Sequence, residues 1–305
     1  MSVRLGTRGS ALATAQSGQL ADAVVRAGLA RGTRVDVELV KVTTKGDVDR
    51  GSLVGLSQTG VFVTALREAL LAGECDFLVH SLKDVPTASF PGLEVVAIPR
   101  REDPRDALCT AGALLDELPR GARIGTGSPR RAAQLLARRP DLDVQPLRGN
   151  VDTRLGRVGD GLDGVVLAAA GLNRLGRGAD ATQPLDVDVM VPAPAQGALA
   201  IEIRDDAPAD LRALLAALDD APTRAAVTAE RAALATLEAG CAAPVAAYAT
   251  VAGETLSLHT RVIGPDGRLA LNERNHGHVS EAEAIGRASA HSLLGRGAAR
   301  LMGRA

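Results

Sequence analysis

Twice in this chain an apolar run reaches Gly-Thr, turns through Gly and Ser, and enters a helical pattern with Gln soon after. The first copy is Leu5-Gly6-Thr7-Arg8-Gly9-Ser10-Ala11-Leu12-Ala13-Thr14-Ala15-Gln16, and the second is Ile124-Gly125-Thr126-Gly127-Ser128-Pro129-Arg130-Arg131-Ala132-Ala133-Gln134. A strand that feeds a helix through a tight turn is half of a βα unit. Two copies predict two related α/β domains, each presenting a helix N-terminus to a shared cleft. Short Gly/Ser turns also resemble one another by chance, so the pairing is an expectation. Ser10 suits an N-cap, and Pro129 suits the first position of a helix.

The remaining elements follow from periodicity. A helix is predicted over 11–30, a strand over 35–42, a Gly-rich mobile loop over 45–60, a helix over 62–72 and a short buried strand over 77–80. The second copy runs as a strand over 123–128 and a helix over 130–139, with a further strand over 164–168. Alternating strands and helices imply a mainly parallel sheet. From about Ala221 the pattern changes to a long helix (222–239), strands at 245–251, 255–263 and 268–273 with a Pro265-Asp266-Gly267 turn, and a final helix over 280–302. Strands grouped between helices predict a small α+β domain.

Composition excludes several classes of function. Phe62, Phe77, Phe90 and Tyr248 are the only aromatic residues, so the core is aliphatic and no stacking platform for single-stranded nucleic acid exists. The net charge is -1, which gives no bulk attraction to nucleic acid or membrane. The start of the chain does not read as a secretory signal, and no apolar run is long enough to span a bilayer. Cys75, Cys109 and Cys241 are widely spaced, which favours a reducing cytoplasm over disulfides or zinc. Arg outnumbers Lys 32 to three. A GC-rich genome explains that bias but not where the arginines sit.

They concentrate. Between 120 and 157 nine Arg face three acids, an excess of six positive charges. Arg138 and Arg139 suit a helix C-terminus. Arg130 and Arg131 stand in a first helical turn, where the helix dipole disfavours each by about 0.3–1 kcal/mol. Something negative should compensate. A helix N-terminus with the Thr126 and Ser128 hydroxyls and two guanidinium forks suits a carboxylate or a phosphate. Arg148, Arg154 and Arg174 extend the cluster, and Arg8 holds the equivalent strand end in the first copy. Many forks around one cleft imply a ligand with many carboxylates.

Two further places carry chemistry. His80-Ser81-Leu82-Lys83-Asp84-Val85-Pro86 follows a buried strand, and strand C-termini face the ligand crevice in open α/β sheets. Asp84 there suits a general acid/base and Lys83 an anion contact, although Lys83 and Asp84 alone also read as a surface ion pair of little value. Cys241 sits in Leu237-Glu238-Ala239-Gly240-Cys241-Ala242-Ala243-Pro244, at a helix exit among small residues. A cationic neighbourhood would favour its thiolate; an unreactive loop thiol is the other reading. Cys75 and Cys109 read as inert core thiols.

Eight segments together resemble the porphobilinogen deaminase family: residues 7–16, 79–86, 101–107, 125–135, 147–155, 169–176, 192–198 and 237–244, in the family's order. VHSLKDVP, LRGN-x-x-TRL and EAGC are jointly specific. The resemblance implies two periplasmic-binding-protein-like α/β domains plus a small α+β C-terminal domain. Their expected bounds are 1–99 with 198–216, then 100–197, then 217–305. It implies hydroxymethylbilane synthesis, in which porphobilinogen loses ammonia and is added to a dipyrromethane primer held by a thioether at Cys241. Four additions precede hydrolytic release of the linear product, and no metal is required. Asp84 matches the catalytic aspartate. Ser81, Lys83, Thr126, Ser128, Arg130 and Arg131 match cofactor contacts, and Arg8, Ser10, Gln16, Arg148, Arg154 and Arg174 match substrate contacts. Gln196 matches a glutamine at the inter-domain crossover. A cytoplasmic monomer is expected. One departure is that Gly55 and Thr59 stand where much of the family has loop lysines. Loop 45–60 is still expected to close as a lid.

Two other classes of function remain open at this stage. A non-catalytic binding protein would share the two lobes and the anion cleft, and Cys241 and Asp84 separate it from the enzyme. A regulatory nucleic-acid binder would use the Arg cluster, but the near-zero net charge and the scarcity of aromatics oppose it.

Overall fold

The computed structural model describes residues 1–42, 58–239 and 243–303. In chain order the elements are β1 (Ser2–Thr7), α1 (Ala11–Ala30), β2 (Asp36–Lys41), α2 (Gln58–Leu71), β3 (Phe77–Ser81), β4 (Leu93–Ala97), β5 (Asp106–Thr110), β6 (Arg123–Gly125), α3 (Pro129–Arg138), β7 (Asp143–Gln145), α4 (Val151–Leu155) and β8 (Gly164–Ala168). They continue with α5 (Ala169–Arg174), β9 (Gln183–Pro184), β10 (Leu199–Arg204), α6 (Ala209–Ala216), α7 (Ala221–Thr236), β11 (Val245–Ala252), β12 (Thr255–Ile263), β13 (Ala270–His278), α8 (Ala282–Gly295) and α9 (Ala298–Leu301). A single 3-10 turn, Leu82–Asp84, follows β3 directly.

The chain divides into two compact units, residues 1–101 with 198–224 and residues 102–197 with 225–305. The first holds a five-stranded sheet ordered β2-β1-β3-β10-β4, and the second a five-stranded sheet ordered β7-β6-β8-β5-β9. These orders are the same, strand for strand. β1 lies parallel to β2 and β3, and β10 runs antiparallel to β3 and β4. β6 lies parallel to β7 and β8, and β5 runs antiparallel to β8 and β9. The expectation of a mainly parallel sheet is thus corrected: each sheet has two parallel and two antiparallel junctions. The reason is delivery. A βα crossover brings successive strands in parallel, whereas β10 and β5 each arrive from the other sheet without one.

The repeated Gly-Thr has a steric origin. A Cβ on Gly6 would lie 2.7 Å from Cys75 Sγ, and one on Gly125 would lie 2.6 Å from Leu162 Cδ1. Only glycine lets the strand end pack that closely. Each threonine then accepts a hydrogen bond, Thr7 Oγ1 from Ser17 Oγ on α1 at 2.8 Å and Thr126 Oγ1 from Ser128 N within its turn at 3.2 Å. The helices that follow are capped as expected. Ser10 Oγ accepts from Ala13 N and Ser128 Oγ from Arg131 N.

The cores are aliphatic, as the composition required. Leu5, Val24, Phe77, Ile201 and Leu215 fill the first unit, and Leu108, Ile124, Leu135, Val166 and Met190 fill the second around its sheet. Each such side chain contributes about 1.5–3 kcal/mol by leaving water. The second unit also carries an antiparallel sheet ordered β11-β12-β13, whose inner face packs Ala247, Leu256 and Leu258 against Ala226 and Ala229 of α7 and Ile285 of α8. Two α/β sheets and a small antiparallel sheet with helices are the expected fold class.

Several boundaries in that last part differ from expectation. The final helix, expected over 280–302, is divided into α8 and α9 at Gly297, whose left-handed φ of 91° interrupts it. β13 continues to His278 instead of ending at 273, because its later residues alternate between half-buried and exposed with few apolar side chains to mark them. α7 stops at Thr236 instead of 239. Glu238 adopts a left-handed φ of 47°, with Glu238 N bonded to Ala235 O and Ala239 N to Leu234 O. That double closure is a Schellman ending, normally built on glycine. No helix among the described residues is long and apolar enough to cross a membrane.

Candidate active site

In the first unit the expected residues converge on one end of the sheet. β3 is buried along its length until Ser81, and the 3-10 turn then lifts Lys83 and Asp84 out of the core. The turn is fixed from two sides. Gln16 Nε2 on α1 donates to Ser81 Oγ at 2.9 Å, and Leu82 N donates to Ala198 O at 3.0 Å. Arg8 and Ser10 occupy the β1–α1 turn. The Asp84 side chain keeps an open surface, yet the protein mass around it removes enough solvent to push its pKa up, against the pull of Lys83, Arg8 and His80. An acid at a strand end, held toward its neutral form but within a cationic field, can exchange a proton or steady a positive charge.

Beneath Asp84 lies a network that the sequence did not disclose. Glu202 on β10 is 2 % exposed and takes the Arg67 fork, with Nε at 3.0 Å from both oxygens and Nη2 at 2.7 Å from Oε1. The same carboxylate lies 3.0 Å from His80 Nε2. Burial would raise the Glu202 pKa, but the His80 and Arg67 bonds win and hold it low. No local signal joins positions 67, 80 and 202.

The second unit gathers arginines. Arg130 and Arg131 are both buried in the first turn of α3. Their compensating negative charge is Asp106 at the start of β5: Arg130 Nη1 is 2.8 Å from its Oδ2 and Arg131 Nη2 is 2.7 Å from its Oδ1. This sharpens the reading from sequence, which left the counter-charge to a ligand. Asp106 is fully buried and also accepts from Gln196 Nε2 at 2.9 Å. Burial would raise its pKa; the two guanidiniums drive it far below the carboxylate range. One carboxylate neutralises one of two guanidiniums, so the cluster keeps a positive charge. Burial lowers the Arg130 pKa, and Arg131 adds to that.

Arg154 on α4 bonds Gly149 O at 2.8 Å, and Arg174 at the end of α5 bonds Gly197 O at 2.6 Å. Arg148 is exposed. Among the described residues none of these three forms an ion pair with an acid. Burial lowers the Arg154 pKa and Arg131 lowers it further; burial lowers that of Arg174, with Glu102 opposing. Guanidiniums held among backbone carbonyls and each other are a site for carboxylates. Gln196 and Gly197 sit beside them through a strained turn. Ala195 has φ 61°, and its N–H donates to Glu230 Oε2 at 2.6 Å. Gly197 follows at φ 89°, where a Cβ would collide with the Glu102 carbonyl. Buried Glu230 also accepts from Ala249 N at 2.8 Å, tying α7 to β11.

Cys241 and residues 43–57, with Gly55, lie outside the described residues, and the side chain of Thr59 is likewise not described. Of the loop expected over 45–60, residues 58–60 belong instead to the first turn of α2. Cys75 and Cys109 are buried free thiols pushed up to about 11, chiefly by burial, as inert core thiols should be.

Two family models match this chain: the dipyromethane cofactor binding domain of porphobilinogen deaminase over residues 3–211, and the C-terminal domain of the same enzyme over residues 224–295. The chain belongs to the porphobilinogen deaminase family. A porphobilinogen deaminase of Thermobifida fusca is 53% identical over 306 residues, spanning 97% of this chain and 94% of that one. Porphobilinogen deaminase 1 of Streptomyces coelicolor is 54% identical over 316 residues, spanning 99% and 97%. The activity is therefore hydroxymethylbilane synthesis, a transferase reaction of tetrapyrrole biosynthesis that takes porphobilinogen as substrate and a dipyrromethane cofactor as primer. A substrate-binding domain of a putative amino acid ABC transporter from Streptococcus pneumoniae covers 71% of this chain at 12% identity with a TM-score of 0.43, too distant to carry an argument.

The described residues fit such a cofactor. Each pyrrole of the porphobilinogen deaminase primer carries two carboxylates, and the second unit offers guanidiniums that no acid side chain among the described residues satisfies.

Proposed function

We propose that Asp84 is the catalytic carboxylate of this transferase and that Cys241 carries the primer by a thioether. The observation that carries this reading is Asp84 itself: an acid on a hydrogen-bonded turn at the end of a buried strand, pushed up by its surroundings and within the field of Lys83, Arg8 and His80. When bound, dipyrromethane would supply the nucleophilic pyrrole that the first substrate joins. The chain's residues do the rest. Asp84 accepts pyrrole N–H bonds and steadies the positive charge that porphobilinogen develops as ammonia leaves. Ser81, Lys83, Thr126, Ser128, Arg130 and Arg131 hold the primer. Arg8, Ser10, Gln16, Arg148, Arg154 and Arg174 bind incoming substrate, the guanidiniums pairing with its carboxylates so that none enters without a counter-charge.

In this reading the chain works as three domains, 1–99 with 198–216, 100–197 and 217–305. It acts as a cytoplasmic monomer with no nucleic-acid or membrane partner. Intact mass of the purified protein tests the assignment. An adduct of two pyrrole units, absent from Cys241→Ser, is expected. Asp84→Asn should keep that adduct and bind substrate while turnover falls about 10²–10⁴-fold. An unmodified mass in an active preparation would remove Cys241 from its role, and near-normal turnover in Asp84→Asn would remove Asp84.

A further inference from the structure

We propose that Glu202 is a positioning residue for Asp84, acting through His80 on the strand end from which the catalytic turn springs. This rests on the assignment of Asp84 as the catalytic carboxylate.

The sheet register makes the contact. β10 runs antiparallel to β3 with Ala200 opposite His80 and Glu202 opposite Leu78. His80 and Glu202 are therefore diagonal neighbours on one face, within reach of long side chains. Ala200 is small, which leaves the imidazole room to lean toward Glu202. On its other side β10 meets β4 through an irregularity between Ile201 and Glu202, where Ile201 pairs with Ala97 and Glu202 with Val95. Such bulges re-aim side chains and are enriched beside active sites.

The carboxylate is fixed in turn. Arg67 on α2 grips it with a fork, and the Arg67 guanidinium stacks over the Phe90 ring with its carbon 4.8 Å from the centroid. An ionised Glu202 accepts only, so His80 presents Nε2–H to it. That bond holds the ring of His80, the penultimate residue of β3. Four residues later stands Asp84, with Gln16 holding Ser81 and Ala198 O holding Leu82 N between them. A misplacement of about 1 Å at a reacting group costs up to about 10²-fold in rate.

Stability alone is a weak account of these groups. Three ionisable side chains lie in a core where an aliphatic set of equal volume would be as stable or more so. What an apolar set could not do is fix one rotamer of His80 and one register of β3 under Asp84.

A double-mutant cycle on the holoenzyme separates positioning from scaffolding. Glu202→Gln, Asp84→Asn and the double variant are compared for porphobilinogen turnover, with intact mass confirming the cofactor adduct and thermal unfolding confirming the fold. Glu202→Gln is expected to lower kcat about 10- to 100-fold with KM nearly unchanged. The double variant should turn over no more slowly than Asp84→Asn. Losses that multiply, or a Glu202→Gln enzyme with the parental kcat, overturn the proposal. If Glu202→Gln fails to fold, His80→Gln, which leaves the Arg67–Glu202 pair intact, enters the same cycle with the same expectations. An Asp84→Asn enzyme at parental rate would sink the assignment of Asp84, and this proposal with it. No result for Glu202 alone mimics that outcome.

Discussion

The two five-stranded sheets share one strand order and differ in what they bury. In each, the antiparallel strand that arrives from the other sheet carries a buried acid: Glu202 on β10 and Asp106 on β5. Glu202 gathers one arginine and one histidine; Asp106 gathers two arginines and a glutamine. The first unit has an aspartate just past the end of the neighbouring strand β3, the second a set of guanidiniums. One scaffold thus carries two different electrostatic surroundings, an acid at a strand end in one copy and guanidiniums without an acid partner among the described residues in the other. Fold leaves that choice open, and a few side chains make it.

The contrast breaks most readily at Asp106. Asp106→Ala strands two buried guanidiniums and should cost about 3–5 kcal/mol, read as a fall in Tm and a lower denaturant midpoint. A loss under 1 kcal/mol would mean that the cluster is not held by this acid. Its pH dependence has a definite sign. The folded pKa of Asp106 is depressed, so its contribution is complete above the unfolded value of about 3.9 and is lost as pH falls below that. Acid unfolding followed by circular dichroism should begin at higher pH, and with a shallower slope, in Asp106→Asn than in the parent.

Arg154→Leu sharpens the comparison from the other side. Arg154 has no acid partner among the described residues, so stability should change by less than about 1 kcal/mol. Elongation should stall, with partly extended adducts visible by intact mass. A stable variant with no stalled species would detach Arg154 from substrate binding. The smallest effect belongs to Arg138 and Asp116, an exposed pair at 2.7 Å. Asp116→Asn should shift stability by about 0–1 kcal/mol and leave turnover alone; a larger change would show that the Arg-rich surface is more cooperative than its exposure implies.

The charge excess in residues 120–157 shows where reading from sequence stops. Much of it is cancelled by acids beyond the window. Arg130 and Arg131 meet Asp106, Arg138 meets Asp116 and Arg157 meets Asp160. Sequence proximity located the basic region correctly, but a window holds no information about acids that the fold brings in. Arg120, Arg148 and Arg154 are what remains without an acid partner among the described residues. The Glu202 network was hidden for the same reason, since positions 67, 80 and 202 meet only through strand pairing. By contrast the caps at Ser10 and Ser128, the strand over 164–168 and the helix over 11–30 were legible, because their causes lie within a few residues.

Local chemistry and composition determined the βα units, the aliphatic core, the small third sheet and the motifs that mark the family. Hydrogen-bonded turns, caps and hydrophobic period act over about one turn of chain, so the order of residues suffices for them. Tertiary structure alone decided which strands run antiparallel, which buried acids gather which cations, and which arginines are left without an acid partner among the described residues. Those depend on Coulombic and packing partners up to 135 residues away, and such partners exist only once the chain has closed on itself.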